Sequence, residues 1–330
     1  MTAPVLVSGA NGFVGSAVVR ALLRHGYGVR ALARASSDTT NLDGLDVEIV
    51  RGDLLDPPSL ERALQGCEGL FHVAADYRLW ARNPREIRAS NVRGTHNILI
   101  AARHGGVRRI VHTSSVATLG LLADGRPADE DTPARLADMI GEYKRSKFLA
   151  EALARRCGRA GQDIVIVNPA APVGPRDRKP TPTGRMILDA ARGRMPAYVD
   201  TGLDVVHVDD VAEGHVLAFE RGQRGRRYVL GGENMSLKSI LAVVAELTGR
   251  HPPWLKVPHA AALPAAYFAE AWARVSGVAP NVTVDGVKLS RHTMYFSSRR
   301  AEVELGYRAR PARVALADAI QWFRDNGYLG

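Results

Sequence analysis

Val5-Leu6-Val7-Ser8-Gly9-Ala10-Asn11-Gly12-Phe13-Val14-Gly15 is the stretch whose reading decides the architecture. A short apolar run fits a buried strand, and the apolar spacing from Val14 to Arg24 fits an amphipathic helix. Between them the glycines follow GxxGxxG rather than the commoner GxGxxG. A glycine pattern alone also describes an ordinary strand-to-helix turn. Placed between strand and helix, it predicts a tight turn whose backbone N–H groups meet a pyrophosphate at the positive helix end. Gly9, Gly12, Phe13, Val14 and Gly15 are therefore candidate phosphate contacts.

Outward from this turn, β-branched segments recur at residues 5–7, 29–33, 47–50, 69–73, 109–113 and 164–167, with amphipathic stretches between them. That alternation predicts an α/β fold, a Rossmann-type doubly wound parallel sheet with helices on both faces. Helices are expected over 14–24, 87–103 and 143–155, with Asp56-Pro57-Pro58-Ser59 opening another. After Asn168-Pro169 the rhythm breaks, because Pro172, Pro175, Pro180, Pro182 and Pro196 exclude a continuous helix. The expected division is a dinucleotide-binding domain at 1–168 and a smaller C-terminal α+β substrate lobe at 169–330. The chain is expected to return to the first domain within 200–235. Helices at 209–219, 236–247 and 313–326 complete the lobe, around an apolar, Ala-rich segment at 254–280.

The 330 residues, 46% of them hydrophobic, suffice for one large α/β domain with an extension. Cys67 and Cys157 have neither zinc nor redox-pair spacing. The N-terminal strand leaves no room for a leader, and no apolar run approaches the ~20 residues of a membrane span. A cytoplasmic protein is expected. The net charge of +10 points to nucleic acid, an anionic membrane surface or anionic small ligands. Dispersed arginines without a nucleic-acid motif argue against the first. His72, His112 and His207 lack metal-ligand spacing and read as structural, so no metal is expected.

Where a carboxylate at the end of the second strand would hold the ribose 2′-hydroxyl of NAD, the sequence reads Ala31-Leu32-Ala33-Arg34. Arg34 suits a 2′-phosphate, with Ser36 or Ser37 in support, so NADP(H) is the preferred cofactor and NAD the alternative. A solvated arginine after a strand is the plainer reading of the same residue. Asp53 and Leu54 follow the third strand, where Asp53 suits the adenine amine. Ala74 and Ala75 follow the fourth, where small residues let the backbone pass the cofactor.

Tyr143 and Lys147 stand four residues apart, on one face of a helix. Hydride transfer to a carbonyl leaves an alkoxide that needs a proton. A phenol with a depressed pKa supplies it when a nearby ammonium stabilises the phenolate. Thr113-Ser114-Ser115 ends the fifth strand at the sheet edge where such folds bind ligands. Ser115 is the expected partner of the reacting oxygen and Ser114 the fallback, unless both merely satisfy strand-end backbone.

Together with Asn91-Val92-Arg93-Gly94-Thr95 and His207-Val208-Asp209-Asp210, these motifs resemble the extended short-chain dehydrogenase/reductase family over essentially the whole chain. The resemblance implies Asn91 as a structural residue beside the active site and Asp209 as a helix cap. It also puts Pro169 and Pro172 among the cofactor contacts. Sugar-nucleotide epimerases of the family read Arg-Pro-x-Asn-Val-Tyr-Gly-Pro where this chain has Asn168-Pro169-Ala170-Ala171-Pro172-Val173-Gly174-Pro175. The version here, with Arg34, is closer to dihydroflavonol-reductase-like members.

Asp76-Tyr77-Arg78-Leu79-Trp80, Lys179 to Gly184 and Met195 to Gly202 resemble the hopanoid-associated sugar epimerase subfamily. Its name implies a small-molecule substrate such as a polyol or sugar on a triterpenoid. Tyr77, Arg78, Trp80 and Thr181 are then candidate substrate contacts, with lobe packing as the alternative. A greasy substrate needs an apolar entry, and residues 255–278 suit that, peripheral contact with the inner membrane, or plain core packing. The resulting expectation is an NADP(H)-dependent carbonyl reductase. The rivals are an epimerase or dehydratase with retained cofactor and a non-catalytic NADP-binding sensor. Helices 87–103 and 143–155 could join two copies in a homodimer, as relatives often do.

Overall fold

The computed structural model describes residues 3–278, 280 and 282–329. Among these, seven strands form one parallel sheet in the order β10-β6-β5-β4-β1-β2-β3. The strands are β1 Val5–Ser8, β2 Val29–Ala33, β3 Glu48–Arg51, β4 Gly69–His72, β5 Arg109–Thr113, β6 Ile164–Pro169 and β10 Arg227–Leu230. The chain thus comes back to the sheet at 227–230, where β10 pairs with β6.

Helices cover both faces, as parallel sheets require. On one side α1 (Phe13–Arg24) packs against α7 (Val208–Arg221). On the other, α2 (Pro57–Leu64), α4 (Gly94–His104) and α5 (Gly141–Arg159) stand over the sheet. Val5, Val7, Phe71, Val111, Val165 and Val167 face the first side and Leu6, Leu70, Ile110, Ile164 and Ile166 the second. Alternate side chains along each strand feed opposite cores.

The helix expected over 87–103 is an interrupted one. A short α3 (Pro84–Arg88) runs through a π turn, Ala89–Arg93, into α4, and the bulge carries Asn91. Such single-turn bulges cluster at functional positions.

The remaining elements form the smaller lobe. Strands β7 (Ala171–Val173), β9 (Gly202–His207) and β11 (Glu233–Ser236) make a three-stranded sheet, and β8 (Ala197–Tyr198) pairs with β12 (Leu255–Lys256). Helices α6 (Pro182–Ala191), α8 (Leu237–Thr248) and α12 (Ala312–Asp325) bury a separate core of Ile187, Leu188, Val205, Ile240, Leu316 and Phe323. Helix α6 starts inside the proline-rich stretch because Pro182 occupies its first turn, where a missing N–H costs nothing. Helices α9 (His259–Ser276) and α10 (Val284–Leu289) pack on each other, and α11 (Arg299–Leu305) returns to α7. Asp209 is not the cap of α7. His207 caps it by accepting the Asp209 N–H at 3.0 Å, leaving the Asp209 carboxylate to pair with Arg176.

Candidate active site

The turn after β1 is steric in origin. Gly9 has φ +68°, and a Cβ there would lie 2.7 Å from Ala74 Cα, so β1 and the end of β4 approach as closely as backbones can. A Cβ on Gly15 would run into the Gly9 carbonyl, which seats α1 tightly on β1. Ser8 Oγ holds the far side, bonding His72 Nδ1 at 2.8 Å and accepting the Ala74 N–H at 3.3 Å. Gly12 caps α1 without a side-chain bond, and the first bond entering the helix start runs from Ser16 N to Gly12 O. The opening N–H groups of Phe13, Val14 and Gly15 remain for an anion.

At the end of β2, Arg34 and Ser36 are exposed. Arg51 donates to the Arg34 carbonyl at 3.0 Å, bringing a second guanidinium to the same edge. That residue escaped the sequence reading, though its place at the end of β3 was a signal. One Asp53 oxygen accepts the Leu55 N–H at 2.8 Å, and Leu54 lies where a Cβ on Gly94 would stand. Ala74 and Ala75 are half-buried after β4, Pro169 closes β6, and Pro172 lies within β7.

Ser115 and Tyr143 come together past the end of β5, with Lys147 one turn further along α5. Ser115 accepts the Ala117 N–H at 3.1 Å and starts a 3-10 turn, while its hydroxyl also acts on the Tyr143 phenol. Burial raises the phenol's pKa, and the hydrogen bond from Ser115 is the opposing influence. The sequence led us to expect a depressed pKa instead. Desolvation outweighs the single hydroxyl, and the Lys147 ammonium is turned to the Thr113 carbonyl at 2.7 Å. Lys147 itself is buried, and desolvation lowers its pKa to about 8 against the opposing pull of Glu151.

Glu151 is the buried residue that sequence reading missed. It accepts Ser114 Oγ at 2.6 Å, Thr118 Oγ1 at 2.7 Å and Asn168 Nδ2 at 2.8 Å, and pairs with Arg227 at 3.2 Å. Its signal was the spacing, since it continues the Tyr143–Lys147 face by one more turn of α5. Asn168 also reaches the Ser115 carbonyl at 3.0 Å. Asn91 grips both backbone groups of Asp76, at 2.7 and 2.9 Å, and donates to Ser146 Oγ at 2.9 Å. Ser146 in turn donates to the Tyr143 carbonyl at 2.8 Å, so Asn91 ties the loop after β4 to the helix bearing the phenol.

The candidate substrate residues are dispersed by comparison. Tyr77 donates to the Lys179 carbonyl at 3.4 Å, and Thr181 caps α6 while donating to Asp177 at 2.9 Å. Those two share one corner, where burial raises Asp177 to about 6. Arg78 is held by Asp76 and Glu86, and Trp80 is half-buried.

The model of the NAD dependent epimerase/dehydratase family matches residues 5–231, from β1 through β10. The chain belongs to this family. Its members are NAD(P)-dependent enzymes, and this chain is one of these extended short-chain dehydrogenase/reductases. Within the family, it is 48% identical over 98% of its length, and 95% of the relative's, to a Synechocystis sp. protein provisionally named a dihydroflavonol 4-reductase. It is 38% identical to sterol demethylase protein B of Methylococcus capsulatus, covering 98% of this chain and 99% of that one. The crystal structure of gox2253 superposes with a TM-score of 0.90 at 51% identity, over 99% of both chains. A Pseudomonas aeruginosa protein described as a nucleoside-diphosphate-sugar epimerase gives a TM-score of 0.83 at 28% identity over the whole of both chains.

Proposed function

We propose that this chain is an NADP(H)-dependent reductase of an aldehyde or ketone on a sugar-like or polyol group, carried by a hopanoid-type triterpenoid. The observation that carries the reading is the Tyr143 phenol beside the Ser115 hydroxyl past the end of β5, a proton source and a hydrogen-bond donor for one carbonyl oxygen. At neutral pH a phenol keeps its proton, the form a reduction consumes.

Gly9, Gly12, Phe13, Val14 and Gly15 would hold the pyrophosphate, with Ala74, Ala75, Pro169 and Pro172 beside the rest of the dinucleotide. Asp53 and Leu54 would meet the adenine, and Arg34 with Ser36 the 2′-phosphate. The free approach to the α1 N-terminus and the closeness of Gly9 to Ala74 fit such a group. The chemistry the dinucleotide supplies when bound is hydride. Ser115 donates to the carbonyl oxygen of the substrate and orients it, and Tyr143 delivers the proton to that oxygen. Lys147, one turn along α5, would bring its positive charge to the phenol as the proton leaves. Asn91 and Glu151 position these groups without touching substrate. Tyr77, Arg78 and Trp80 from the dinucleotide half at 1–168 and Thr181 from the lobe at 169–330 would face the rest of the substrate.

Reduction also agrees with relatives named for it, including a Stigmatella aurantiaca ketoreductase 31% identical over 96% of this chain. The reading puts the enzyme in the cytoplasm, against the inner membrane, as a homodimer through α4 and α5. A second reading, epimerisation with retained cofactor, is favoured by the likeness to the Pseudomonas aeruginosa epimerase. Incubation of the purified protein with NADPH and triterpenoids bearing a ribose or aldehyde group separates the two. Reduction oxidises one NADPH per product. Product formed at constant NADPH absorbance overturns it in favour of the epimerase.

A further inference from the structure

Helix α9 is built the reverse of a helix in water. The side facing the protein is made of small residues, Ala266 and Ala273, packed near Val284 and Val287 of α10. The opposite side carries the large apolar groups. Phe268, Trp272 and Val275 follow one another at i, i+4 and i+7 and are 74%, 63% and 81% exposed. Pro264, Ala265 and Ala271 lie along the same side and are also exposed, so that no charged residue interrupts the face. Trp254 before the helix and Val278 after it are exposed as well. Monomeric proteins seldom leave so continuous a patch in water.

Exposed basic side chains flank its C-terminal end. Arg82 donates to the carbonyl of Arg274 at 3.4 Å, so two exposed arginines stand at the C-terminal end of α9. The acid of the helix, Glu270, is turned inward to the Val284 N–H at 2.8 Å. The whole chain carries +10. Exposed arginines beside the face and a net positive charge favour an anionic surface as what covers it.

We propose that α9 docks on an anionic lipid bilayer, lying in the interface with Phe268, Trp272 and Val275 between the headgroups and the neighbouring arginines on lipid phosphates. None of the described helices is long and apolar enough to cross a membrane, so the contact is peripheral. The surface stands on α9 itself. It deepens the functional reading by bringing the enzyme to a lipid-resident substrate.

The test is flotation of the full chain with vesicles of phosphatidylcholine, with and without phosphatidylglycerol. The bound fraction is expected to rise about tenfold with the anionic lipid and to fall with added salt. Phe268→Ser/Trp272→Ser should lower it by a further tenfold or so, at unchanged circular dichroism and Tm, because these side chains pack on little else. Wild-type protein that stays unbound at low salt overturns the proposal, and so does a double variant that floats like wild type. A wild-type dimer that the double variant converts to monomer also overturns it, since the face would then be covered by a second copy. Binding is read without turnover, so failure here and failure of the reductase reading are separable.

Discussion

Ser114 Oγ donates to the buried Glu151 carboxylate at 2.6 Å, and the alternation of an extended chain then turns the Ser115 hydroxyl to the opposite side, toward Tyr143. Two adjacent hydroxyls therefore do different work. One locks the strand end to α5, and the other is the one that the proposed reduction uses.

Ser115→Ala is accordingly expected to lower kcat about 100-fold with little loss of Tm. Ser114→Ala should change kcat less than about threefold while lowering Tm by several degrees, because it removes one buried bond to a charged group. Steady-state kinetics beside thermal melts decide the assignment. Equal kinetic losses in both variants would contradict it.

Tyr143→Phe should lower kcat by about three orders of magnitude while leaving the dinucleotide Kd within a few-fold. Isothermal titration with NADPH provides the control. A variant retaining a tenth of wild-type activity would remove Tyr143 from the proton-transfer role.

The pH profile follows from Lys147. Its pKa is lowered from 10.5 to about 8, so the ammonium is present below that pH and lost above it. Activity that needs this charge declines as pH rises through about 8, and Lys147→Met abolishes most of it at every pH. The folded state binds this proton less tightly than the unfolded chain, so the same group adds stability as pH rises from about 8 toward 10.5. A rate that stays level to pH 9.5 would overturn the charge requirement.

Arg34→Asp should turn the preference for NADPH over NADH by about two orders of magnitude, by replacing an attraction to the 2′-phosphate with repulsion. The ratio of kcat/KM for the two cofactors reads this directly. An unchanged ratio would leave Arg34 a solvated surface residue.

Acid should weaken the fold through the buried imidazoles. Desolvation lowers His72 to about 3 and His215 to about 4, and drives His112 well below its usual value. The unfolded chain takes up these protons first as pH falls below 6.5, so folding stability declines there. Asp177 and Asp204, both raised to about 6 by burial, act in the opposite direction between pH 6 and 4 over smaller shifts. Tm is expected to fall between pH 6.5 and 5, by an amount that His215→Asn reduces. A flat Tm over this interval would show that the imidazoles charge in place.

Much of this architecture was legible from local pattern. The strands at 29–33 and 109–113 and the helix that follows Gly12 could be read because apolar period and glycine placement are properties of neighbouring residues. The place of Tyr143 and Lys147 on one helix face was legible for the same reason, their spacing being one helical turn. The π turn around Asn91 was not, since it depends on how the loop after β4 packs against α5. Nor was the fate of Asp209, whose capping place went to His207 when the Arg176 side chain arrived from a distant turn.

The order of residues by itself determined the parallel α/β sheet, the glycine turn and the placing of Tyr143 and Lys147 one turn apart on α5, because each rests on contacts within a few positions. Tertiary packing alone decided that Glu151 gathers Ser114, Thr118, Asn168 and Arg227, which lie on elements far apart in the chain. It also decided that α9 keeps its alanines inside and its aromatic residues in water. Both outcomes follow from which surfaces meet after collapse, and desolvation and steric fit between remote segments set that choice.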